Sequence, residues 1–588
     1  MNIVITAEGI LSAIGNGVGE TLEALREGRS GIGRMAYLRT SHVELPVGEV
    51  KLSNDDMKRS LGIPTSEEVS RTSLMGMMAI RQFADTLPKA AAGDEAAERV
   101  VLVSGTTVGT MDITENHYAN FQSEEDQSFF KCHGCGGSTQ RIADYFGVFS
   151  DLTTVSTACS SAANAIVLGA NLIKAGKADV VVAGGSEALS RFHLNGFNSL
   201  MILDKERCRP FDATRAGLNL GEGAAYVVLE SEEHARKRGA EIHAWLAGYG
   251  NACDAFHQTA SSDNGEGAYR AMKEALAMAH LDPEDIQYVN AHGTGTPNND
   301  LSEGVALKRV FGEKMPLVSS TKSFTGHTTS ASGGIETVVC LLAMRHSFVP
   351  ANIGWKNVMP DGIVPTLGKE GIRLTNVVNN SFGFGGNDTS LVFSSQRPVA
   401  DDLVFNGNMK IKELARVELT SEESLSEIRN YVKPLAARRM GRIMKGSLLS
   451  SLKALEKAGV DVPDAIITGT AYGCLDNTER LLKQIDAEGE ETVSPTDFMQ
   501  STHNTIGSNI AIRLGCHGYN STYSQHSASL SWAMLDAELL IRSGQCRTVL
   551  VGCHDESTPT LNAMLEKAGM NTSPYPIHSI AIVLSCGE

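Results

Sequence analysis

Residues 155–176 read VSTACSSAANAIVLGANLIKAG. The β-branched run Thr153–Ser156 has strand composition. A short polar turn holds Cys159, and Ser160–Ala175 is then apolar nearly all the way round, the pattern of a helix buried on every side. Gly176 stands where a helix C-terminal cap is expected. Working outward, short β-branched runs recur at Val101–Ser104, Val180–Ala183 and Tyr226–Leu229, alternating with helix-like stretches such as Gly267–Ala279. That alternation predicts an α/β architecture with helices packed on sheets.

The tail of the chain repeats its front. IADYFG at 142–147 and IAIRLG at 510–515 are 510 − 142 = 368 positions apart. The same interval pairs Gly176 with Gly544 and Gly184 with Gly552, and it aligns DVVVAGGSE (179–187) with RTVLVGCHD (547–555). Upstream, SGTTVGTMDITE (104–115) pairs with TGTAYGCLDNTE (468–479) at an interval of 468 − 104 = 364, a difference that a four-residue insertion explains. Residues 404–588 therefore read as a second copy of roughly 1–230. A boundary falls near Ser394–Val404, where the strand-like run 391–393 gives way to the polar SSQRPVADD (394–402).

The 588 residues are 42% hydrophobic and 20% charged, an ordinary globular mix with length for about four structural units. A net charge of −17 argues against nucleic acid and anionic membrane as partners. No run reaches the ~20 apolar residues that span a bilayer. The N-terminal MNIVITAEGILS has no basic segment ahead of an apolar one, so a cytoplasmic chain is expected. The eleven cysteines form no short-spaced framework and are expected as free thiols.

Cys159 sits where a strand and turn open a buried helix. Backbone N–H groups and the helix end favour thiolate there, and a thiol that carries an acyl group needs such a position. The alternative is a small buried cysteine. Two histidines add weight: His292 in NAHGTGTPNND (290–300) and His327 in STKSFTGHTTSASGGIE (320–336) lie on Gly- and Thr-rich turns, where catalytic groups gather. KCHGCGG (131–137) holds Cys132 and Cys135 in a CxxC, but no second CxxC completes a zinc site, and no metal is assigned. IGNGVGET (14–21) lacks the lysine of a phosphate loop and reads as a turn opening a helix.

These segments resemble the elongating β-ketoacyl synthases of the thiolase superfamily over about residues 1–396. CRPFDATRAGLNLGEGAAYVVLE (208–230), AGGSEA (183–188) and NNSFGFGGNDTS (379–390) occur in the family's order. Two places depart from its pattern: Asn387-Asp388 stand where Thr-Asn is usual, and Asn298-Asn299 occupy a variable site. The resemblance implies a thiolase-like layered αβαβα fold, with halves at 1–240 and 241–396. A linker at 397–403 and the half-thiolase-like copy at 404–588 follow. It implies decarboxylative condensation of a malonyl thioester with an acyl chain on Cys159, with His292 and His327 stabilising the carbanion. Lys322 would orient the site, with Glu336 supporting it, and backbone N–H groups near Cys159 and Phe384 would receive the second oxyanion. Thr294 and Thr296 would contact the phosphopantetheine arm of an acyl carrier protein, and Phe384, between Gly383 and Gly385, would gate the acyl pocket. No bound cofactor is implied. Lys205, Arg207 and Arg209 are candidates for the carrier's docking patch, and a homodimer or association with a ketosynthase-like subunit is implied.

At the interval of 368, Cys159 falls on Ser527, with His526 beside it. No counterpart of HGTGTP or KSFTGH follows, so the tail is expected to be non-catalytic. It is similar to the short ketosynthase-like domains, related to chain-length factors, of bacterial pigment and polyketide synthases. It is expected to shape the acyl tunnel or the dimer, the alternative being a remnant that only stabilises the fold. The chain then belongs to fatty acid synthesis or a specialised pathway such as that of polyenes, towards which the tail leans. The rival readings are a thiolase acting on coenzyme A thioesters and a non-catalytic chain-length scaffold.

Overall fold

The computed structural model describes residues 1–88, 98–118, 134–400 and 403–587. Its strands in the first 240 residues are β1 (Ile3–Ser12), β2 (Val100–Gly105), β3 (Asp151–Val155), β4 (Val180–Glu187) and β5 (Gly223–Ser231). Next come β6 (Ala244–Cys253), β7 (Tyr288–Asn290), β8 (Leu317–Ser319), β9 (Phe348–Val349), β10 (Lys369–Glu370), β11 (Asn376–Gly383) and β12 (Asn387–Ser394). The tail contributes β13 (Ile411–Leu419), β14 (Ala465–Gly469), β15 (Tyr519–Tyr523), β16 (Thr548–Glu556) and β17 (Ile577–Cys586). Apart from the small β9–β10 pair, the described strands form one continuous sheet ordered β13-β17-β16-β14-β15-β3-β2-β4-β5-β1-β6-β12-β11-β7-β8.

The β2 and β4 sequences are near-continuous β-branched runs because each is covered on both faces; β2 pairs in parallel with β3 and β4. One face carries the helix Arg71–Arg81, packed in an outer core with Met75, Ile80 and Val182. The other carries Ser161–Lys174, whose residues 161–173 are all buried, in a central core shared with the helix Ser332–His346. Beyond the second part of the sheet, the helices Glu266–Met278 and Pro297–Phe311 close a third core. Two outer helical layers, the two parts of the continuous sheet and the central helical pair between them give the five-layered αβαβα arrangement. The central helix comes close enough only because Gly105 has no side chain: a Cβ there would lie 2.6 Å from Ala162 N.

The tail repeats β1 to β5 in mirror order. Its helix Ser529–Arg542 follows β15 as Ser161–Lys174 follows β3, and Gly176 and Gly544 both take left-handed φ values, 65° and 76°. The two copies meet edge to edge. Val155 pairs with Tyr523 in antiparallel sense. Ser156 N–H donates to Thr522 O at 2.8 Å, and Ser524 N–H donates to Thr154 O at 2.9 Å. At the far end β13 is the sheet's edge, whereas its counterpart β1 pairs on with β6 through Ile3–Ile5. The segment before β13 covers part of the tail's helix. Phe405 and Met409 pack on the central core, and Arg542 Nη1 donates to Gly407 O at 2.7 Å and Met409 O at 3.0 Å. Of the sequence-derived linker, residues 401–402 lie outside the described residues.

Candidate functional site

β3 ends at Val155 and the chain turns through Ala158, whose φ of 51° is a left-handed value rare outside glycine. Cys159 lies in the following tight turn, immediately ahead of the central helix. The loop between β11 and β12, residues 383–386, passes over it: a Cβ on Gly383 would lie 2.7 Å from Thr157 O.

His292 follows β7. Its backbone N–H and that of Gly293 donate to the two oxygens of Glu303, at 2.8 and 2.7 Å. Burial pushes the Glu303 carboxyl up to about 7, and these two bonds oppose the rise. Lys322 Nζ lies 3.3 Å from His292 Nδ1 and 2.5 Å from Glu336 Oε1. An ammonium only donates, so Nδ1 is the acceptor and the ring proton sits on Nε2. His327 is placed by its own N–H, which donates to Asn219 O at 2.7 Å. Its Nδ1 lies 3.0 Å from Ser332 Oγ and its Nε2 lies 3.1 Å from Cys159 Sγ. The two imidazoles meet edge to face, with centroids 5.2 Å apart. One ligand-type atom from each of Cys159, His292 and His327 falls within 4.8 Å of the others.

Burial is the largest influence on all three groups. It holds both imidazoles well below the ordinary histidine range, with Lys322 adding to the effect. It pushes the Cys159 thiol up to about 12, against the pull of Lys322 and of the backbone N–H groups of Phe384 and Cys159. The turn was expected to favour thiolate. Here desolvation outweighs the local dipoles, and the resting group is a thiol beside neutral imidazoles. Glu336 is likewise raised by burial, to about 7, with Lys322 opposing.

Thr294, Thr296 and Phe384 line the same cavity of about 370 Å³ as Cys159, His292 and His327. The threonine hydroxyls bond each other at 2.9 Å. The Phe384 ring stacks on Phe197 with centroids 5.5 Å apart. Met201, at the cavity mouth, is 88% exposed. Of the three basic candidates nearby, Lys205 and Arg207 are exposed, whereas Arg209 is half-buried and paired with Glu206 and Asp204 at 2.8 and 3.3 Å.

Other sequence features lie elsewhere. Cys132 falls outside the described residues, and Cys135 is a buried thiol donating to Thr107 O at 3.4 Å. The glycine-rich 14–21 stretch does lead into a helix, Val18–Glu27. Ser527 is exposed, although His526 repeats the turn strain of Ala158 with a φ of 45°. Sequence reasoning missed Glu303 and Asn219, which fix the backbone of the two histidines, and Ser332, which meets the His327 ring. It also missed the tail residues that reach the site: Phe498 packs on Phe192 and Phe197 with centroids 6.1 and 5.3 Å apart, and the Asn504 side chain bonds the Phe384 backbone. Glu303 offered a faint signal, an acid on a helix just after the first histidine turn. The tail residues lie more than a hundred positions away along the chain and offered none.

A five-layered fold that brings a buried thiol under two imidazoles defines an acyl-transferring condensing enzyme. The chain belongs to the β-ketoacyl synthase family: residues 1–235 match the profile of the beta-ketoacyl synthase N-terminal domain and 243–356 that of its C-terminal domain. Residues 414–588 match a second N-terminal domain profile. The chain is 34% identical over 409 residues to 3-oxoacyl-[acyl-carrier-protein] synthase 2 of Staphylococcus aureus (strain N315), covering 66% of this chain and 97% of that one. Among solved structures it is similar to the ishigamide ketosynthase/chain length factor, with TM-score 0.61 and 31% identity over 67% of this chain and 99% of that one. The PfaC keto synthase–chain length factor shares the fold over 100% of this chain and 78% of its own, with TM-score 0.80 and 16% identity. The enzyme is a β-ketoacyl synthase of fatty acid or polyketide biosynthesis. No helix among the described residues is long and apolar enough to cross a membrane.

Proposed function

We propose that Cys159 accepts an acyl chain from the phosphopantetheine arm of an acyl carrier protein and that His292 and His327 drive its condensation with a malonyl unit. In the first half-reaction Sγ attacks the acyl carbonyl and the pantetheine sulfur departs. One proton moves from Sγ to that sulfur, and His327 Nε2, 3.1 Å from Sγ, is the nearest relay. In the second, the malonyl C–CO2 bond breaks and its electron pair collects on the thioester oxygen. Two imidazole N–H groups aimed there stabilise that charge, His327 having passed to its Nε2–H tautomer with Nδ1 accepting from Ser332 Oγ. The carbanion attacks the Cys159-bound carbonyl, and the N–H groups of Phe384 and Cys159 receive the tetrahedral oxyanion. Collapse breaks the C–Sγ bond, leaves the 3-oxoacyl product on the carrier, and releases a thiolate that takes up one proton from solvent to restore the resting thiol. Lys322, anchored by Glu336, fixes the His292 tautomer. Thr294 and Thr296 hold the pantetheine arm, Phe384 gates the pocket, and Lys205, Arg207 and Arg209 meet the acidic carrier. The observation that carries this reading is the convergence of one sulfur and two imidazoles within 4.8 Å.

The tail (404–588) acts as a non-catalytic partner. It covers the β3 edge and packs Phe498 behind Phe197, so it stands where it can limit the acyl tunnel. Such a fused partner fits a specialised cytoplasmic pathway building polyene-like chains, with the catalytic part spanning 1–240 and 241–396. The test is a radiolabelled malonyl-carrier assay with mass spectrometry of Cys159. Carbon dioxide release in step with product and an acyl adduct on Cys159 are expected. Condensation of two acetyl-coenzyme A molecules, or cleavage of a 3-oxoacyl-coenzyme A, without carbon dioxide would instead make the enzyme a thiolase, and absence of an adduct would make it a scaffold.

A further inference from the structure

The loop over Cys159 is tied down from the tail. Gly385 and Gly386 take φ values of 84° and 77°, a backbone that glycine adopts without strain and that leaves the loop few side-chain anchors. Its fixings come from outside. Gly385 N–H donates to Gln258 O at 2.7 Å, and Asp254 N–H donates to Gly386 O at 2.8 Å. Asn504, in the second half-copy, donates from Nδ2 to Phe384 O at 2.7 Å and to Asn387 Oδ1 at 2.7 Å. Asn387 Oδ1 also accepts from Ser508 Oγ at 3.3 Å, and its Nδ2 donates to Asn520 O at 3.1 Å. Asn387 and Asn504 are both buried, at 0% and 1% exposure, so water does not replace these bonds. Ser508 also closes the space beneath the loop, since a Cβ on Gly385 would lie 2.2 Å from its Oγ. Asn504 has one defined orientation: both of its partners are acceptors, and a flipped amide would set oxygen against oxygen.

The peptide that Asn504 grips is the one after the N–H that matters. Phe384 O is bonded from the tail, and the Phe384 N–H, in the loop that passes over Cys159, is one of the two backbone donors that pull the thiol downward. We propose that Asn504 is a positioning residue for the condensing site, holding the 383–386 loop through Phe384 O and Asn387 so that the Phe384 N–H stays aimed at the atoms bonded to Cys159. This rests on the reading of Cys159 as the acyl-accepting nucleophile. The tail would then act on the rate of acyl transfer as well as on the shape of the tunnel.

The test compares wild-type enzyme with Asn504→Ala, Asn504→Asp and Ser508→Ala in the full chain. Single-turnover acylation of Cys159 by an octanoyl-carrier protein is followed by mass spectrometry, with alkylation of Cys159 by iodoacetamide and thermal unfolding measured in parallel. Acylation is expected to fall about 10- to 100-fold in both Asn504 variants, less than the loss of a whole oxyanion donor. A smaller fall is expected in Ser508→Ala, which breaks only the 3.3 Å contact and keeps the fold if the Asn504 variants do not. Alkylation should also depart from the wild-type rate, speeded by the wider opening over Cys159 and slowed by loss of the N–H that favours thiolate. Asn387→Ala combined with Asn504→Ala should cost little more than either alone, since both break one tie. Wild-type acylation and alkylation rates in the folded variants would overturn the proposal, as would losses that merely follow the folded fraction. Absence of an adduct in the wild type would instead overturn the assignment of Cys159.

Discussion

Val155 of β3 and Tyr523 of β15 face each other across the seam between the two copies, and they are 523 − 155 = 368 positions apart, the interval that also relates Cys159 to Ser527. An isologous interface is centred on residues related by its own symmetry. Thr154 and Ser156 on one side, and Thr522 and Ser524 on the other, exchange reciprocal backbone bonds about this centre. The tail therefore stands to residues 1–396 as one subunit of a twofold dimer stands to the other, although it carries only half of a subunit.

The tasks proposed for the three convergent groups can be separated. Cys159→Ala should abolish the acyl adduct and condensation together. His292→Ala should lower malonyl decarboxylation by about 100- to 1,000-fold, the cost of one oxyanion donor, while single-turnover acylation of Cys159 stays within about 10-fold of wild type. Equal loss of both half-reactions in His292→Ala would contradict the assignment.

The state of the thiol can be read from pH. Because burial raises Cys159 to about 12, its alkylation by iodoacetamide should climb about tenfold per pH unit from 7 to 9 with no plateau. A plateau near neutral pH would reveal a resting thiolate–imidazolium pair. The imidazoles titrate the other way. Their folded values lie below the unfolded one, so their contribution to stability is complete above about pH 6.5 and is lost as pH falls below it. Denaturant midpoints from pH 7 to 5 should fall less in His292→Gln than in wild type.

Lys322 and Glu336 are 1% and 3% exposed in their side chains, a fully buried pair. Removing one member strands the other, so Lys322→Met should cost about 3–5 kcal/mol. Lys322→Met combined with Glu336→Leu should recover most of that stability without recovering activity, because the donor to His292 Nδ1 is still missing. Recovery of turnover in the double variant would mean that the pair only supports the fold.

Phe498 is 1% exposed, and a Cβ added to Gly196 would lie 2.1 Å from its ring. Phe498→Ala should cost about 3–5 kcal/mol, read by denaturant unfolding. It should also lengthen the product by opening space behind Phe197. Gly196→Ala should destabilise by about 1–3 kcal/mol through overpacking. A product of unchanged length from folded Phe498→Ala would remove the tail from chain-length control.

The parts legible in the sequence share a property: each is local. The strand-turn-helix around Cys159 shows in composition, the two histidine turns in their Gly and Thr content, and the duplication in a constant interval. What was not legible depends on distance or on a balance. Asn504 and Phe384 meet across 120 positions, and nothing in either neighbourhood announces the other. Glu303 looks like an ordinary helix residue until the backbone of His292 is placed against it. The thiol's proton affinity turned on whether dipoles or desolvation would win at Cys159, which only its burial decides. Asn387 was visible as a departure from the family's loop, but its reason sits in the tail, where Asn504, Ser508 and Asn520 supply its partners.

Since β3 finds β15 within its own polypeptide, the join is unimolecular. Its occupancy does not change with dilution, unlike that of a partner supplied in trans, whose capture depends on how much of it the cell holds. Translation delivers the two copies in equal number. An assembly of two separate polypeptides must regulate that ratio; here a single polypeptide fixes it at one to one.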